Sequence, residues 1–251
     1  MSDDHRGSVR VEPAAKRVRV YFAGQPVADT TRPVLVWEVP YYPAYYLPRE
    51  DVRTELLVPS ERTTHSPSRG DARTYHVQVG DRVATDAAWE YPDSPLVAIR
   101  GLLRFEWGAM DNWFEEDEEV FVHPRSPYTR VDILPSSRHV EVVVDGVTVA
   151  DSHHPTLLFE TGLPPRYYLP KVDVRMDRLV ESDTTTACPY KGLARTWSVR
   201  TDDATIPDLA WSYPTPLPES TKVAGLVAFY NEKVDLIVDG QHQPRPRTHF
   251  S

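Results

Sequence analysis

The chain has 251 residues, of which 40% are apolar and 26% are charged, a composition typical of a folded globular protein and not of a disordered one. Its net charge of −9 without a basic run argues against nucleic-acid binding, and no apolar stretch approaches the roughly 18 residues of a membrane span. One cysteine indicates a reducing compartment, and the first residues lack the apolar core of a signal peptide, so the sequence predicts a cytoplasmic protein.

The predicted elements are short strands separated by proline, glycine, aspartate and serine. In chain order we predict strands within 18–27, 34–38, 74–79, 88–91, 97–107, 140–150, 157–160, 196–200, 210–213 and 223–230. Asp145-Gly146 lies between two β-branched runs and predicts a tight hairpin, because both turn residues tolerate positive φ. Single helical turns opened by proline are expected within 46–52 and 168–174. The 24 prolines argue against long helices, so the predicted class is mostly β.

The sequence repeats itself at an interval of 122 residues. Residues 17–92 and 139–214 are identical at about 33 of 76 positions, where chance would give about 5. Each copy has the size of a domain, so we predict a tandem duplication. The predicted boundaries are a flexible tail at 1–15, a first domain with an acidic extension and linker at 16–136, a second domain at 137–240 and a flexible tail at 241–251.

An ordered set of short motifs carries a family resemblance. It comprises Val-Ala-Asp-Ser (149–152), Leu-Phe-Glu (158–160), Tyr-Tyr-Leu-Pro (167–170), Asp-Val-Arg (173–175), Thr-x-Cys-Pro-Tyr-Lys-Gly (186–192), Ala-Trp-x-Tyr-Pro (210–214) and Gly-Leu-Val-Ala-Phe-Tyr (225–230). The chain resembles the domain-of-unknown-function 427 family, in two copies. The resemblance implies a small antiparallel two-sheet domain of the β-tent type. The family is sometimes labelled nucleotidyltransferase-like, but such enzymes hold Mg²⁺ with acidic groups, and no Gly-Ser loop followed by Asp-x-Asp is present here.

The segment 186–192 contains the only cysteine. Cys188 lies three residues before Lys191, whose ammonium group would favour the thiolate. In the first copy Ser66 and Arg69 take these positions. The segment has three interpretations: a turn with cysteine as a small filler, a functional loop, or a nucleophile.

Two further sets of residues are candidates for ligand contacts. The charged set is Asp151, Glu160, Tyr167 and Arg175, matched by Asp29, Glu38, Tyr45 and Arg53. The aromatic set is Trp211, Tyr213, Trp197, Tyr168 and Phe229, matched by Trp89, Tyr91, Tyr75, Tyr46 and Phe105. The charged groups could ring a pocket or form a structural ion pair, and the aromatic rings could line a pocket or fill the core.

Two polar segments carry no predicted site. His153 and His154 are adjacent in an extended segment and point to opposite faces, so we predict no metal site there. The acidic run 115–119 is expected to be a solvated face, either a short helix or a loop.

Three functions remain open. The first hypothesis is a module that binds a small, planar or weakly anionic molecule, with one pocket in each repeat and no cofactor. Its second-copy site would comprise Glu160, Tyr167, Arg175, Thr186, Lys191, Gly192, Trp211 and Tyr213; the first-copy site would comprise Glu38, Tyr45, Arg53, Thr64, Arg69, Gly70 and Trp89. The alternatives are an enzyme that uses Cys188 and Lys191, for transferase or thiol chemistry, and a scaffold in which repeat–repeat or homo-oligomer packing buries a shared interface. No nucleic-acid or membrane partner is predicted.

Overall fold

The computed structural model describes residues 9–248 and 250–251. The chain divides into two compact units, Met1–Ser126 and Pro127–Ser251, here called unit 1 and unit 2. Each unit contains one seven-stranded sheet and one four-stranded sheet. Within both sheets the paired strands run antiparallel, as expected for strands joined by short hairpins.

From residue 9 onward, unit 1 contains eleven strands. They are β1 (Arg10–Pro13), β2 (Val18–Phe22), β3 (Gln25–Thr30), β4 (Val34–Trp37), β5 (Ala44–Pro48), β6 (Leu57–Ser66), β7 (Gly70–Val79), β8 (Arg82–Glu90), β9 (Leu102–Phe105), β10 (Asn112–Glu115) and β11 (Glu118–Glu119). The large sheet has the order β1-β4-β5-β9-β8-β7-β6, and the small sheet has the order β11-β10-β2-β3. Short 3₁₀ turns cover Arg49–Asp51, Thr54–Leu56, Val97–Ile99 and Trp107–Ala109.

Unit 2 repeats this arrangement with eleven further strands in its described part. They are β12 (Val131–Pro135), β13 (Val140–Val144), β14 (Val147–Ser152), β15 (Thr156–Glu160), β16 (Arg166–Leu169), β17 (Leu179–Cys188), β18 (Gly192–Arg200), β19 (Thr205–Ser212), β20 (Val227–Phe229), β21 (Asp235–Val238) and β22 (Gln241–His242). The sheet orders are β12-β15-β16-β20-β19-β18-β17 and β14-β13-β21-β22. The 3₁₀ turns are Lys171–Asp173, Met176–Arg178 and Pro218–Val223.

The strand orders of the two units correspond one to one, which confirms the predicted tandem, mostly β fold. Helical residues in the described part of the chain are confined to the seven 3₁₀ turns. Two of these turns follow Pro48 and Pro170, as the sequence predicts. No helix among the described residues has the length and hydrophobicity needed to cross a membrane.

The predicted hairpin at Asp145-Gly146 is confirmed. Both residues have positive φ, 47° and 78°, and connect β13 to β14. Ala23 and Gly24 have the same conformation between β2 and β3. Tight two-residue turns of this kind match the right-handed twist of the flanking strands.

The main core of each unit lies between its two sheets. In unit 1, Val18 and Val20 of the small sheet pack with Leu47, Val77 and Phe105 of the large sheet. The equivalent unit 2 core is formed by Val140, Val142, Leu169, Val199 and Phe229. Because strand side chains alternate in direction, the large sheet also has an opposite face. We call it the outer face; it carries a second apolar cluster in each unit.

Several segments that the sequence assigned to tails or extensions belong to the sheets. Residues 10–13 form β1 and pair with β4, whereas residues 1–8 of the predicted tail lie outside the described residues. Residues 131–135 form the edge strand of unit 2, so the boundary between the units lies at 126/127 and not at 136/137. Edge strands of four or five residues are too short to show a clear alternation of apolar and polar residues, which explains why the sequence did not predict these two strands.

The acidic segment also belongs to a sheet. Residues 112–119 form the β10–β11 hairpin, and β10 pairs with β2 just as β21 pairs with β13. Within it Glu115 is buried and accepts a hydrogen bond of 2.9 Å from the Tyr45 hydroxyl, so the expectation of a fully solvated face is wrong at that residue. The predicted C-terminal tail likewise begins with β22, at 241–242.

Candidate functional site

The outer face of unit 2 brings together four of the predicted residues. Lys191 follows the tip of the β17–β18 hairpin, and its Nζ lies 2.5 Å from Oε2 of Glu160, at the end of β15. The two side chains are each only 10% exposed. Trp211 and Tyr213 belong to the apolar cluster of the same face. The structure brings Glu160, Lys191, Trp211 and Tyr213 together from three separate parts of the sequence, but as a largely buried cluster and not as the lining of a cleft.

A network of polar groups surrounds this ion pair. Burial acts to lower the pKa of Lys191, but Cys188, Glu160 and Tyr168 raise it, and the net pKa lies above its usual value. Burial raises the pKa of Tyr168 to about 12, although Lys191 and a hydrogen bond of 3.1 Å from Trp211 Nε1 oppose the shift. Lys191 therefore stays protonated and Tyr168 stays neutral at physiological pH.

Cys188 is half-buried at the edge of this cluster. It ends β17 and pairs with Gly192, so the predicted loop is a tight β-hairpin. Gly192 has φ of 92°, a conformation that L side chains rarely adopt. The hairpin turn therefore requires glycine at this position whether or not a ligand binds nearby. The ammonium group of Lys191 is held by Glu160, which leaves the thiol beside a cation that already has a partner.

Unit 1 carries a related but more cationic cluster on its outer face. Arg104 Nη1 lies 2.6 Å from Glu38 Oε2, and Arg69 Nε lies 3.7 Å from Oε1 of the same carboxylate. The Tyr46 hydroxyl donates to Glu38 as well. The Arg104 guanidinium also lies over the Trp89 ring, 4.5 Å from its centroid. Glu38, Arg69 and Trp89 therefore come together, and each matches a member of the unit 2 cluster.

The remaining predicted residues lie elsewhere. Tyr45 and Tyr167 pack toward the core between the sheets, on the opposite face of the large sheet. Arg53 and Arg175 pair with exposed neighbours, Glu55 and Asp177, at 3₁₀ turns. The grouping of these residues with the ion pair is thus wrong.

Thr64 and Gly70 lie on the long unit 1 hairpin. Thr64 is exposed, and Gly70 at the start of β7 has φ of 89°. Gly70 therefore serves the hairpin turn, as Gly192 does in unit 2.

The predicted aromatic set is also divided between two faces. Trp211, Tyr213 and Tyr168 lie on the outer face, whereas Trp197 and Phe229 lie in the core between the sheets. In unit 1, Tyr46, Trp89 and Tyr91 are on the outer face, and Tyr75 and Phe105 are in the core. Successive side chains of a strand point to opposite faces of the sheet. The pairing register between strands therefore decides which face each aromatic ring occupies.

Sequence reasoning missed Arg166. It makes two hydrogen bonds to Glu232, of 2.6 and 2.7 Å, and its guanidinium lies 5.7 Å from the Trp211 ring centroid. Burial acts to raise the pKa of Glu232, but the hydrogen bonds from Arg166 and Thr248 lower it to about 2. Arg166 corresponds to an alanine in unit 1, while Arg104 corresponds to an alanine in unit 2. This signal is present in the aligned repeats, because each copy has an arginine where the other copy has an alanine.

A cavity of about 320 Å³ opens beside the aromatic cluster of unit 2. It is lined by Thr184, Thr186, Thr196, Asp208, Tyr230, Lys233, Phe250 and Ser251. Tyr230 connects it to the cluster, because its ring centroid lies 4.5 Å from that of Trp211. Of the predicted ligand-binding residues, Thr186 lines this cavity.

The two charged side chains that line the cavity, Asp208 and Lys233, have different partners. Asp208 accepts a hydrogen bond of 2.9 Å from the Thr184 hydroxyl, and hydrogen bonds from Ser182, Thr184 and Thr196 lower its pKa. Lys233 is exposed, and its ammonium group lies 5.2 Å from the Tyr230 ring centroid. The cavity thus presents a carboxylate bound by hydroxyl groups and a cation beside an aromatic ring.

The corresponding place in unit 1 is different. Asp86 replaces Asp208, and Arg62 replaces Thr184 and lies 3.6 Å from that carboxylate. Glu106 replaces Tyr230. A cavity of about 190 Å³ in unit 1 lies instead beside the stacked rings of Trp107 and Trp113, and none of the predicted site residues lines it.

The fold and the outer-face clusters define a protein of two tandem antiparallel β units, each with a carboxylate–cation pair on its large sheet that is largely buried in unit 2 and partly buried in unit 1. A family model described as "Domain of unknown function (DUF427)" matches residues 10–116 and 132–240. The chain belongs to this family, in two copies. A search of curated proteins finds no significant match.

Proposed function

We propose that the chain is a small-molecule-binding protein whose site is the outer-face cavity of unit 2. The observation that carries the proposal is the cavity of about 320 Å³ bordered by Tyr230 and Phe250. Binding pockets for small molecules measure about 300–1,000 Å³ and combine apolar walls with a few polar groups. The unit 2 cavity lies at the lower end of this size range, and its lining combines two aromatic rings with six polar or charged residues, which favours a small ligand that carries polar groups.

The charges indicate the ligand's chemistry. Asp208 accepts hydrogen bonds from hydroxyl groups and also feels the charge of Lys233. Lys233 itself is exposed to the cavity beside Tyr230, where it can face a second anion. An aromatic carboxylate would place its ring against Tyr230 and its charge near Lys233. This agrees with the planar, weakly anionic ligand expected from the sequence, and it does not favour nucleic acid, given the net charge of −9.

The proposal assigns binding to unit 2 and a supporting role to unit 1. At the equivalent place unit 1 has Arg62 beside Asp86, where unit 2 has Thr184. The larger arginine side chain and its ion pair would occupy the space that threonine leaves open. The proposal therefore departs from the expectation of one pocket in each repeat. It retains the cytoplasmic location, which a single cysteine supports.

The test compares two matched tryptophan substitutions. Thr186→Trp would fill the cavity, whereas Thr64→Trp makes the same change at the equivalent exposed position of unit 1. A panel of benzoates and indole carboxylates would be screened by ligand-observed NMR against the full chain and both variants. We expect binding to the natural chain and to Thr64→Trp, and its loss in Thr186→Trp. Equal binding to all three proteins, or no binding by any panel member, would contradict the proposal.

A further inference from the structure

We propose that the four-stranded sheet of unit 2 carries a site for a divalent transition metal of the Zn²⁺ type, formed by His139, Asp151 and His153. One ligand atom from each of these side chains lies within 4.8 Å of the other two. The site lies on a different sheet from the cavity, so it is independent of the proposed function.

The β13–β14 hairpin explains why these side chains meet. Glu141 pairs with Asp151 and Val140 pairs with Ser152 across the two strands. His139 precedes Val140 and His153 follows Ser152, so the next pair in register is His139 and His153. Side chains two residues apart share a face, which places two imidazoles and two carboxylates on the same side of the hairpin.

The observed contacts agree with this placement. The imidazole rings of His139 and His153 are stacked, with centroids 4.1 Å apart and planes within 10°. His139 Nε2 lies 2.6 Å from Asp151 Oδ1, and its Nδ1 lies 3.8 Å from Glu141 Oε1. If Nε2 binds the metal, the other ring nitrogen faces Glu141, whose carboxylate would accept its hydrogen bond after an approach of about 1 Å. Carboxylates commonly orient metal-binding histidines in this way.

The sequence alone predicts no metal site here, because His153 and its neighbour His154 point to opposite faces. The partner that the structure provides is His139, fourteen residues earlier and across the hairpin. The side chain of His154 points to the opposite face of the extended segment and is exposed.

In unit 1, arginine side chains balance the charge of the carboxylate that is equivalent to Asp151. There Asp29 is paired with Arg17, at 2.5 and 2.8 Å, and faces Arg19 across the strands. In unit 2 these arginines are replaced by His139 and Glu141, so two carboxylates now face each other. Like charges at directly opposite positions destabilise a hairpin. A divalent cation would supply the positive charge that arginine supplies in unit 1.

The donor set defines the class of metal. Imidazole nitrogen and carboxylate oxygen suit Zn²⁺, Cu²⁺ and Ni²⁺ better than Ca²⁺ or Mg²⁺, which prefer oxygen ligands alone. Asp151 and His153 are exposed, so the remaining coordination positions face solvent. Three protein ligands with an open position are one of the two usual arrangements for zinc.

Titration of the full, untagged chain with Zn²⁺ by isothermal calorimetry tests the proposal. We expect one equivalent to bind, and His139→Ala, His153→Ala and the near-isosteric Asp151→Asn each to weaken that binding by at least about tenfold. His154→Ala is the matched control and should leave the affinity unchanged. Circular dichroism would verify that every variant is folded.

Three results would overturn the site. They are the absence of Zn²⁺ binding to the natural chain, the same affinity in the His139→Ala/His153→Ala double variant, and an equal loss on His154→Ala.

Discussion

At the scale of single residues, the outer face of unit 2 depends on charges that are buried in pairs. Lys191 and Glu160 neutralise each other in a place that is almost closed to water, and Arg166 and Glu232 do so beside Trp211. A buried charge is costly to leave without its partner. These pairs therefore fix the positions of the hairpin tip and of the tryptophan that border the candidate site.

The first prediction concerns the Lys191–Glu160 pair. Glu160→Gln should lower the free energy of unfolding by about 3–5 kcal/mol, because it leaves the ammonium group of Lys191 buried without a counter-charge. The double variant Glu160→Leu/Lys191→Met should recover most of this loss. Urea denaturation provides the measurement, with Asp177→Asn at an exposed pair as a near-neutral control. Additive losses in the double variant would show that the two charges are not coupled.

The second prediction concerns pH. The folded-state pKa of Glu232, about 2, lies below its ordinary value of 4.5, so its contribution to stability is complete above pH 4.5 and is lost as the pH falls toward 2. The natural chain should therefore lose its stability advantage over Glu232→Gln across this window. Thermal unfolding at a series of pH values measures the difference. A difference that stays constant from pH 6 to pH 2.5 would exclude the proposed Arg166–Glu232 coupling.

At the scale of elements, the predictability of each strand follows its burial pattern. The β13–β14 hairpin was predictable because runs of β-branched residues flank the turn Asp145-Gly146. The long strands β6 and β17 were not predicted, because they are largely exposed and polar and show no alternation of hydrophobic residues. Their pairing depends on the neighbouring strand, which local sequence does not reveal.

The candidate site shows the same limit. The repeat identified Glu160, Lys191 and Trp211 as equivalents of Glu38, Arg69 and Trp89. It did not indicate which face each side chain occupies, because that depends on the register between strands far apart in sequence. This is why Trp197 was grouped with Trp211, although it packs on the other side of the sheet.

The third prediction compares the glycines of the two long hairpins. Both Gly70 and Gly192 have φ near 90°, so alanine at either position should destabilise its unit by at least about 1–2 kcal/mol. Gly70→Ala should cost more, because its new Cβ would lie 3.3 Å from Pro95 Cδ, whereas the nearest atoms to a Cβ at Gly192 are 3.6 Å away. Chemical denaturation would rank the two variants. The reverse order would contradict the steric argument.

At the scale of the whole molecule, the duplication produced two units with the same sheets and different outer faces. Each unit has its own core between a seven-stranded and a four-stranded sheet. The cation beside the tryptophan comes from β9 in unit 1 and from β16 in unit 2. The shared fold thus tolerates different side chains on the outer face, and the proposed cavity lies beside the outer-face cluster of unit 2.

The fourth prediction concerns the boundary between the units. The fragment 127–251 should fold by itself and unfold cooperatively, because its sheets and core are complete. The shorter fragment 137–251 should be less stable, because it lacks β12, whose Ile133 packs in the outer-face cluster and accepts a hydrogen bond from Lys222. Circular dichroism melts of both fragments test this. Equal melting temperatures would show that β12 is dispensable.

The central claim is that the outer-face cavity of unit 2 binds a small aromatic anion, and its most direct test is an NMR titration of the ¹⁵N-labelled full chain with benzoate. We predict that the amide shifts concentrate at 184–186, 208 and 230–233, which line or adjoin the cavity. The equivalent unit 1 residues, 62–64 and 86, should not move. Shifts that occur equally in both units, or none at millimolar benzoate, would contradict the claim.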